Sequence, residues 1–306
     1  MLKEIALITI VVTNLAQVET GWAEFFGYQV RDRGTVSEEL ADYWDADDME
    51  GLAYAIMQPV NDAPVYIRFV EDTSAAGYRP MTSHGWNATE LLVRDTDAVA
   101  ASLADSPFTI VGAPKDLWPA PDAPRAMQAT GPGGELLYLT TNANASAALG
   151  LNADMPLVER AFIMVLGGPS MSALTEFYGG TLGLRIDPPS FFRITMISKA
   201  NDLDIETTYP LAIAYTAPGN LIELDELPDT VTTRATADEH LPPGVAIVGF
   251  NSKGITADVD WETEPRALKE FPYNGRQAGI FVGPAGELIE VIEPETGAWT
   301  LLPGTE

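Results

Sequence analysis

The chain has 306 residues, enough for two ordinary domains with substantial cores. Apolar residues make up 46% and aromatics 9%, a composition that excludes a disordered chain. The net charge of −27 sets a field that repels nucleic-acid backbones and anionic membrane surfaces; the acids are spread through loops and solubilise the surface. Without cysteine there are no disulfides and no thiolate metal sites, which fits a reducing compartment. The early apolar run from Ile5 to Val12 is too short to span a bilayer and has no small-residue cleavage site behind it, so a cytoplasmic location is expected.

The pattern then falls into four similar modules. The first opens with a strand at Ile5–Val12 and a helix capped by Asn14 that stops at Gly27. Strands follow at Tyr28–Arg33, Leu52–Gln58 and Val65–Glu71. The second has a strand at Trp86–Val93, a helix capped by Asp95 running to about Leu103, and strands near Phe108–Val111, Arg125–Ala129 and Leu136–Thr140. The small, polar stretch 142–157 reads as a linker. The third has a strand at Ala161–Leu166 and a helix from Ser170 through Tyr178, broken at Gly179-Gly180. Leu174, Phe177 and Tyr178 give that helix one apolar stripe, and Gly183 allows a tight turn into the next strand. The fourth keeps a clear strand at Val245–Phe250 and a clear ending at Glu290; between Asn251 and Trp261 the expected helix is short or missing.

Each module ends on a turn followed by a β-rich run with one marked residue inside it. The runs are Pro64–Glu71 with Arg68, Gly131–Thr140 with Tyr138, Ala217–Glu226 with Glu223, and Gly283–Glu293 with Glu290. The last two runs, with Glu176-Phe177-Tyr178-Gly179-Gly180-Thr181-Leu182-Gly183-Leu184, closely resemble the vicinal oxygen chelate superfamily of glyoxalases, bleomycin-resistance proteins, extradiol dioxygenases and methylmalonyl-CoA epimerases. The resemblance implies an α+β fold: four βαβββ modules paired into two half-open barrels. The expected domains are 1–141, holding modules 5–72 and 84–141, and 158–306, holding modules 159–227 and 244–295, joined by the linker 142–157.

Strand alternation aims Tyr66, Arg68, Tyr138, Glu223 and Glu290 into the cups and sends their apolar neighbours under the helices. In that family the marked residue is usually a metal-binding Glu, partnered by a residue on each module's first strand, usually His. Those partner positions fall here on Leu7, Ala88, Ile163 and Val245, and none can bind a metal. The chain's two histidines, His84 and His240, sit in entry loops upstream of the second and fourth modules. No resident cofactor is therefore expected; Glu223 and Glu290 offer at best a weak oxygen-ligand cation site.

The leading expectation is an enzyme of lyase or isomerase type, acting on an aromatic or carbonyl-bearing acid by proton transfer or decarboxylase-type chemistry. Tyr138, Glu223, Glu290 and His84 are its candidate catalytic groups, with two cup carboxylates repelling each other to raise one pKa. Arg68, Tyr66, Trp86 and Glu90 are its candidate substrate-binding groups, Arg68 sharing a cavity with Tyr138 and gripping a substrate carboxylate. The alternatives are a bleomycin-resistance-type binding protein and a metal-dependent glyoxalase or dioxygenase with atypical ligands. The expected partner is a small, aromatic molecule, with neither nucleic acid nor membrane, and a homodimer is compatible with the sequence.

Overall fold

The computed structural model describes residues 2–254 and 259–295. The first module runs β1 (Leu2–Val12), α1 (Leu15–Phe26), β2 (Tyr28–Thr35), α2 (Glu38–Tyr43), β3 (Ala53–Pro59) and β4 (Tyr66–Glu71). The second runs β5 (Gly85–Val93), α3 (Thr96–Ser102), β6 (Thr109–Asp116), β7 (Arg125–Thr130) and β8 (Leu136–Thr141). A short α4 (Ala143–Ala148), capped by Asn142, occupies part of the stretch expected to be a bare linker. The third module runs β9 (Val158–Gly168), α5 (Met171–Thr175), β10 (Arg185–Ile186), β11 (Ser190–Arg193), α6 (Thr195–Ala200), β12 (Thr208–Ala217) and β13 (Asn220–Glu226). Among the described residues the fourth has only strands: β14 (Gly244–Ser252), β15 (Trp261–Ala267), β16 (Gln277–Val282) and β17 (Leu288–Ile292). Residues 255–258, where its helix was expected to be short or missing, and 296–306 lie outside the described residues.

Local chemistry sets the helix ends as the sequence implies. Asn14, Asp95 and Ser170 each accept a hydrogen bond from a backbone N–H in the first helical turn, and Gly27 ends α1 in the left-handed region at φ 68°. One boundary differs. The helix in the third module does not break at Gly179-Gly180; α5 passes into a π-helical turn over Glu176–Thr181. Gly183, at φ +67°, then makes the reversal.

The modules pair differently from the expectation. Sheet order is β15-β16-β17-β14-β1-β4-β3-β2 in one body and β10-β12-β13-β9-β5-β8-β7-β6 in the other. The first module therefore pairs with the fourth, through antiparallel β1 and β14, and the second with the third, through β5 and β9. Neither body is the expected domain 1–141 or 158–306, and 142–157 joins two modules of one sheet. The physical reason lies in the edges: β1 and β14 are buried over almost their whole length and need neighbours on both sides, as do β5 and β9.

Alternation holds on all four final strands. Ile67, Phe69, Leu137, Leu139, Ile222, Leu224, Ile289 and Val291 join the largest core cluster, which also takes in Trp22, Phe26, Leu174 and Tyr178 from the helices. The opposite faces line two cups. No helix among the described residues is long and apolar enough to cross a membrane.

Candidate functional site

In the cup of the first and fourth modules, Arg68 and Glu290 are each 1% exposed. They do not touch directly. Tyr273, in the loop between β15 and β16, accepts from Arg68 Nη1 at 3.3 Å and donates to Glu290 Oε1 at 2.7 Å; Tyr43 on α2 donates to the same oxygen at 3.0 Å. The Arg68 guanidinium lies 5.3 Å from the ring centroids of both Trp44 and Tyr273. Burial works against the Arg68 charge, but Tyr273 and Glu290 outweigh it and its pKa rises. Burial raises the Glu290 carboxyl, with Arg68 and the two tyrosines pulling it down. Gly249 on β14 makes room, since a Cβ there would meet Glu290 Oε2 at 2.6 Å. Leu40, Tyr43, Trp44, Met49, Leu268 and Tyr273 fill this cup with side chains. Tyr66 stands half-buried at its rim, edge-on to Phe271 at 5.1 Å.

The cup of the second and third modules is different. Across its floor, Gln128, Tyr138 and Glu90 stand in register on β7, β8 and β5. Glu223 and Asp225 project from β13, two residues apart and so on one face. Asp225 is 0% exposed, and neither of its carboxylate oxygens has a hydrogen-bond partner; the Tyr138 hydroxyl has none either. Glu223 is half-buried and remains the carboxyl that solvent reaches.

These groups feel one another. Burial pushes Asp225 up to about 8. Burial pushes Glu90 up to about 7, while the Thr140 hydroxyl pulls the other way from a position short of full hydrogen-bond geometry. Glu223 is raised well above the carboxylate range by burial, then by Asp225 and Glu90. Tyr138 is raised by burial and by all three acids, so it keeps its proton. Over this floor, Ile194, Ile197 and Tyr209 pack on Tyr138, and α6 bridges the mouth, Lys199 Nζ donating to the Val111 carbonyl at 2.7 Å.

Three expected site residues, Glu90, Tyr138 and Glu223, thus meet in one cup, and several expectations need correction. Arg68 does not share a cavity with Tyr138, because their modules belong to different sheets. Glu223 and Glu290 are separated for the same reason, so they cannot jointly ligate one cation. Trp86 does not face a cup: a bulge between Trp86 and Ala88 reverses its side, and it packs in the main core with its indole N–H on the Leu288 carbonyl. His84 lines a separate cavity at the starts of β5 and β14. The first-strand position of the fourth module is Ile247, not Val245, since Gly249 pairs with Glu290 as Thr9 pairs with Arg68.

Asp225 was legible in principle, being two residues from Glu223 on an alternating strand. Tyr43, Trp44 and Tyr273 were not, because they lie on α2 and in a connection whose placement no strand period reports.

A metal site of the vicinal oxygen chelate kind would draw its ligands from the marked residues and from the first strand of each module. Its first-strand positions are Leu7, Ala88, Ile163 and Ile247, none a donor, and among the described residues no three His, Cys, Asp or Glu side chains form a metal-holding group. The donor set does not fit that centre.

Comparison with protein-family models and with curated proteins finds no match. Solved structures do match. Glyoxalase I from Zea mays aligns with a TM-score of 0.62 at 14% identity, covering 95% of this chain and 92% of that one. A putative dioxygenase from Bacillus subtilis aligns with a TM-score of 0.58 at 12% identity, covering 97% of this chain and 86% of that one. At such identities the likeness is one of architecture. The chain has the vicinal oxygen chelate fold, four modules in two half-open barrels, one cup filled by its own aromatic side chains and the other lined by unpaired acids.

Proposed function

We propose that the cup of the second and third modules catalyses proton transfer on a small carbonyl-bearing molecule, a reaction of isomerase or lyase type. One observation carries the reading: Glu90, Glu223, Asp225 and the free Tyr138 hydroxyl meet in a buried cup, and no basic side chain pairs with any of the acids among the described residues. Acids that share protons near neutral pH can hold a carboxylate beside a carboxyl, so both a base and a hydrogen-bond donor are at hand.

In the proposed step the protons shared by the three acids rest on Asp225 and Glu90, which relieves the repulsion that raises Glu223, and ionised Glu223, the acid that solvent reaches, removes a proton from the carbon next to the carbonyl. The C–H electron pair moves into the new C=C bond, and the negative charge arrives on the carbonyl oxygen. Tyr138 and whichever of Asp225 and Glu90 is protonated donate hydrogen bonds to that oxygen. Return of the proton to either face gives isomerisation. Because Arg68 lies in the other cup, substrate carboxylates have no guanidinium here, which favours neutral carbonyl compounds over acids.

The test is proton–deuterium exchange at carbon for a panel of ketones, aldehydes and 2-oxo acids in D2O, followed by NMR. Exchange should fall at least about 100-fold in Glu223→Gln, the scale of a lost general base, with folding retained. Absence of exchange across the panel, or exchange unchanged in the variant, would sink the reading.

A second reading, sequestration of a cationic guest, rests on the same unpaired acids. It requires tight binding of an amine without turnover, strengthening as the pH rises and the acids ionise.

A further inference from the structure

The segment between the third and fourth modules crosses the seam where β5 and β14 begin, in the two different sheets. Arg234 sits at this crossing. Its Nε donates to Ser83 Oγ at 3.0 Å, Nη1 to the Val245 carbonyl at 2.9 Å and the Pro243 carbonyl at 3.3 Å, and Nη2 to the Trp86 carbonyl at 2.6 Å. The guanidinium stands 4.9 Å from the Tyr78 ring centroid. Every partner is neutral: among the described residues no carboxylate forms an ion pair with Arg234, in a chain of net charge −27. One N–H of Nη2 remains without a described partner. Burial therefore works against the charge and lowers its pKa.

Beside Arg234 lies a cavity of about 130 Å³, lined by His84, Thr233, Arg234 and Thr236 with the backbone turn at Gly85 and Gly286. At about 30 Å³ per water, it holds roughly four waters and is too small for a drug-sized ligand. The His84 side chain makes no described hydrogen bond, and burial lowers its pKa. Glu287 also borders the space, but both of its oxygens are engaged, one by the Tyr178 hydroxyl and one by the Ala285 N–H. The cavity thus offers a half-buried guanidinium, a half-buried imidazole and two exposed threonine hydroxyls, with no acid free to answer them.

We propose that this seam cavity binds a compact oxyanion, of phosphate or carboxylate size, between Arg234 and His84. The missing countercharge then comes from the ligand, and the anion ties the ends of β5 and β14 together across the two sheets. This site is separate from the acidic cup and does not depend on the reading of that cup.

The chain has only two histidines, so His84 can be followed by proton NMR with His240, held by Asp72 and Asp48, as internal control. The wild-type protein is titrated at about 0.15 M ionic strength, where surface charge is screened beyond about 8 Å, with inorganic phosphate or acetate replacing chloride. The His84 midpoint should rise by about 1–3 pH units with the bound anion, with no comparable change at His240. Response to phosphate and not acetate would assign a free tetrahedral anion; response to both would assign the oxyanion group itself. In Arg234→Gln the His84 response should disappear while His240 titrates as before; should that variant not fold, Thr236→Val is used, with a weaker His84 response expected. Equal shifts at both histidines, or none at His84, would overturn the proposal.

Discussion

At the scale of single residues, Arg68 and Glu223 mark a cup filled by aromatic side chains and a cup lined by unpaired acids. Arg68 has protein partners on one nitrogen and aromatic rings nearby, so removing it leaves Glu290 buried near two tyrosines and without its cation. Arg68→Ala should destabilise the fold by about 3–5 kcal/mol, the scale of a buried charge left uncompensated, read from urea unfolding. Exchange per folded molecule should not change. Glu223 is the reverse: Glu223→Gln should leave stability unchanged or raised, since it removes one of three mutually repelling acids. Both positions were legible as marked residues on alternating strands. Their opposite fates were not, because the contents of each cup depend on which modules pair and on what the connections carry. Arg68 looked like a ligand-binding group until α2 and the loop bearing Tyr273 came to fill the space around it.

At the scale of elements, the most informative pieces are the two turns that precede β8 and β17. Glu135 accepts from Trp22 Nε1 at 2.8 Å and from the Gly133 N–H at 2.9 Å; Glu287 accepts from Tyr178 and Ala285 in the same way. Each acid reaches a helix of a module in the other sheet, so the two turns rivet the bodies together at related points. Gly131 and Gly283 leave the space that the carboxylates occupy, and a Cβ at either would push Glu135 or Glu287 off its partners. The repeated Gly-Pro-x-Gly-Glu pattern was visible in the sequence as a turn signal, but the long-range role of its Glu was not, since the partner aromatic lies in a different module. Gly131→Ala should therefore cost more than the roughly 1 kcal/mol of an ordinary turn substitution, and Glu135→Gln about 1–3 kcal/mol at pH 5 through the lost acceptor. Thermal melts of both variants check this.

For the whole molecule, the buried acids set the pH dependence. Burial raises Glu90, Glu135 and Glu287 to about 7 and Asp225 to about 8 in the fold, while the unfolded chain releases the same protons near 4. Between those values the native state binds more protons than the unfolded state, so raising the pH favours unfolding. The stabilising contribution is fully present below about pH 4 and is lost as the pH passes 7 to 8. The melting temperature should thus be higher at pH 5 than at pH 8, each kcal/mol lost lowering it by roughly 2–4 °C. The double variant Glu135→Gln with Glu287→Gln should flatten that slope. A melting temperature that climbs from pH 5 to 8 would contradict the burial of these acids.

The pairing of outer with outer and inner with inner modules also dictates an order of assembly. Tyr43 and Glu290 meet although 247 residues separate them, whereas β5 and β9 belong to modules consecutive in the chain. On a growing polypeptide the inner body can close while the first module still waits for the fourth, its β1 edge unprotected until β14 arrives. The delay costs little at equilibrium, since each doubling of a loop adds only about 0.6 kcal/mol, but it exposes an apolar strand in time. A fragment spanning residues 80–232 should fold cooperatively, and one spanning 1–141 should aggregate. Early stalling of synthesis should accordingly be the moment at which this protein is most in need of a chaperone.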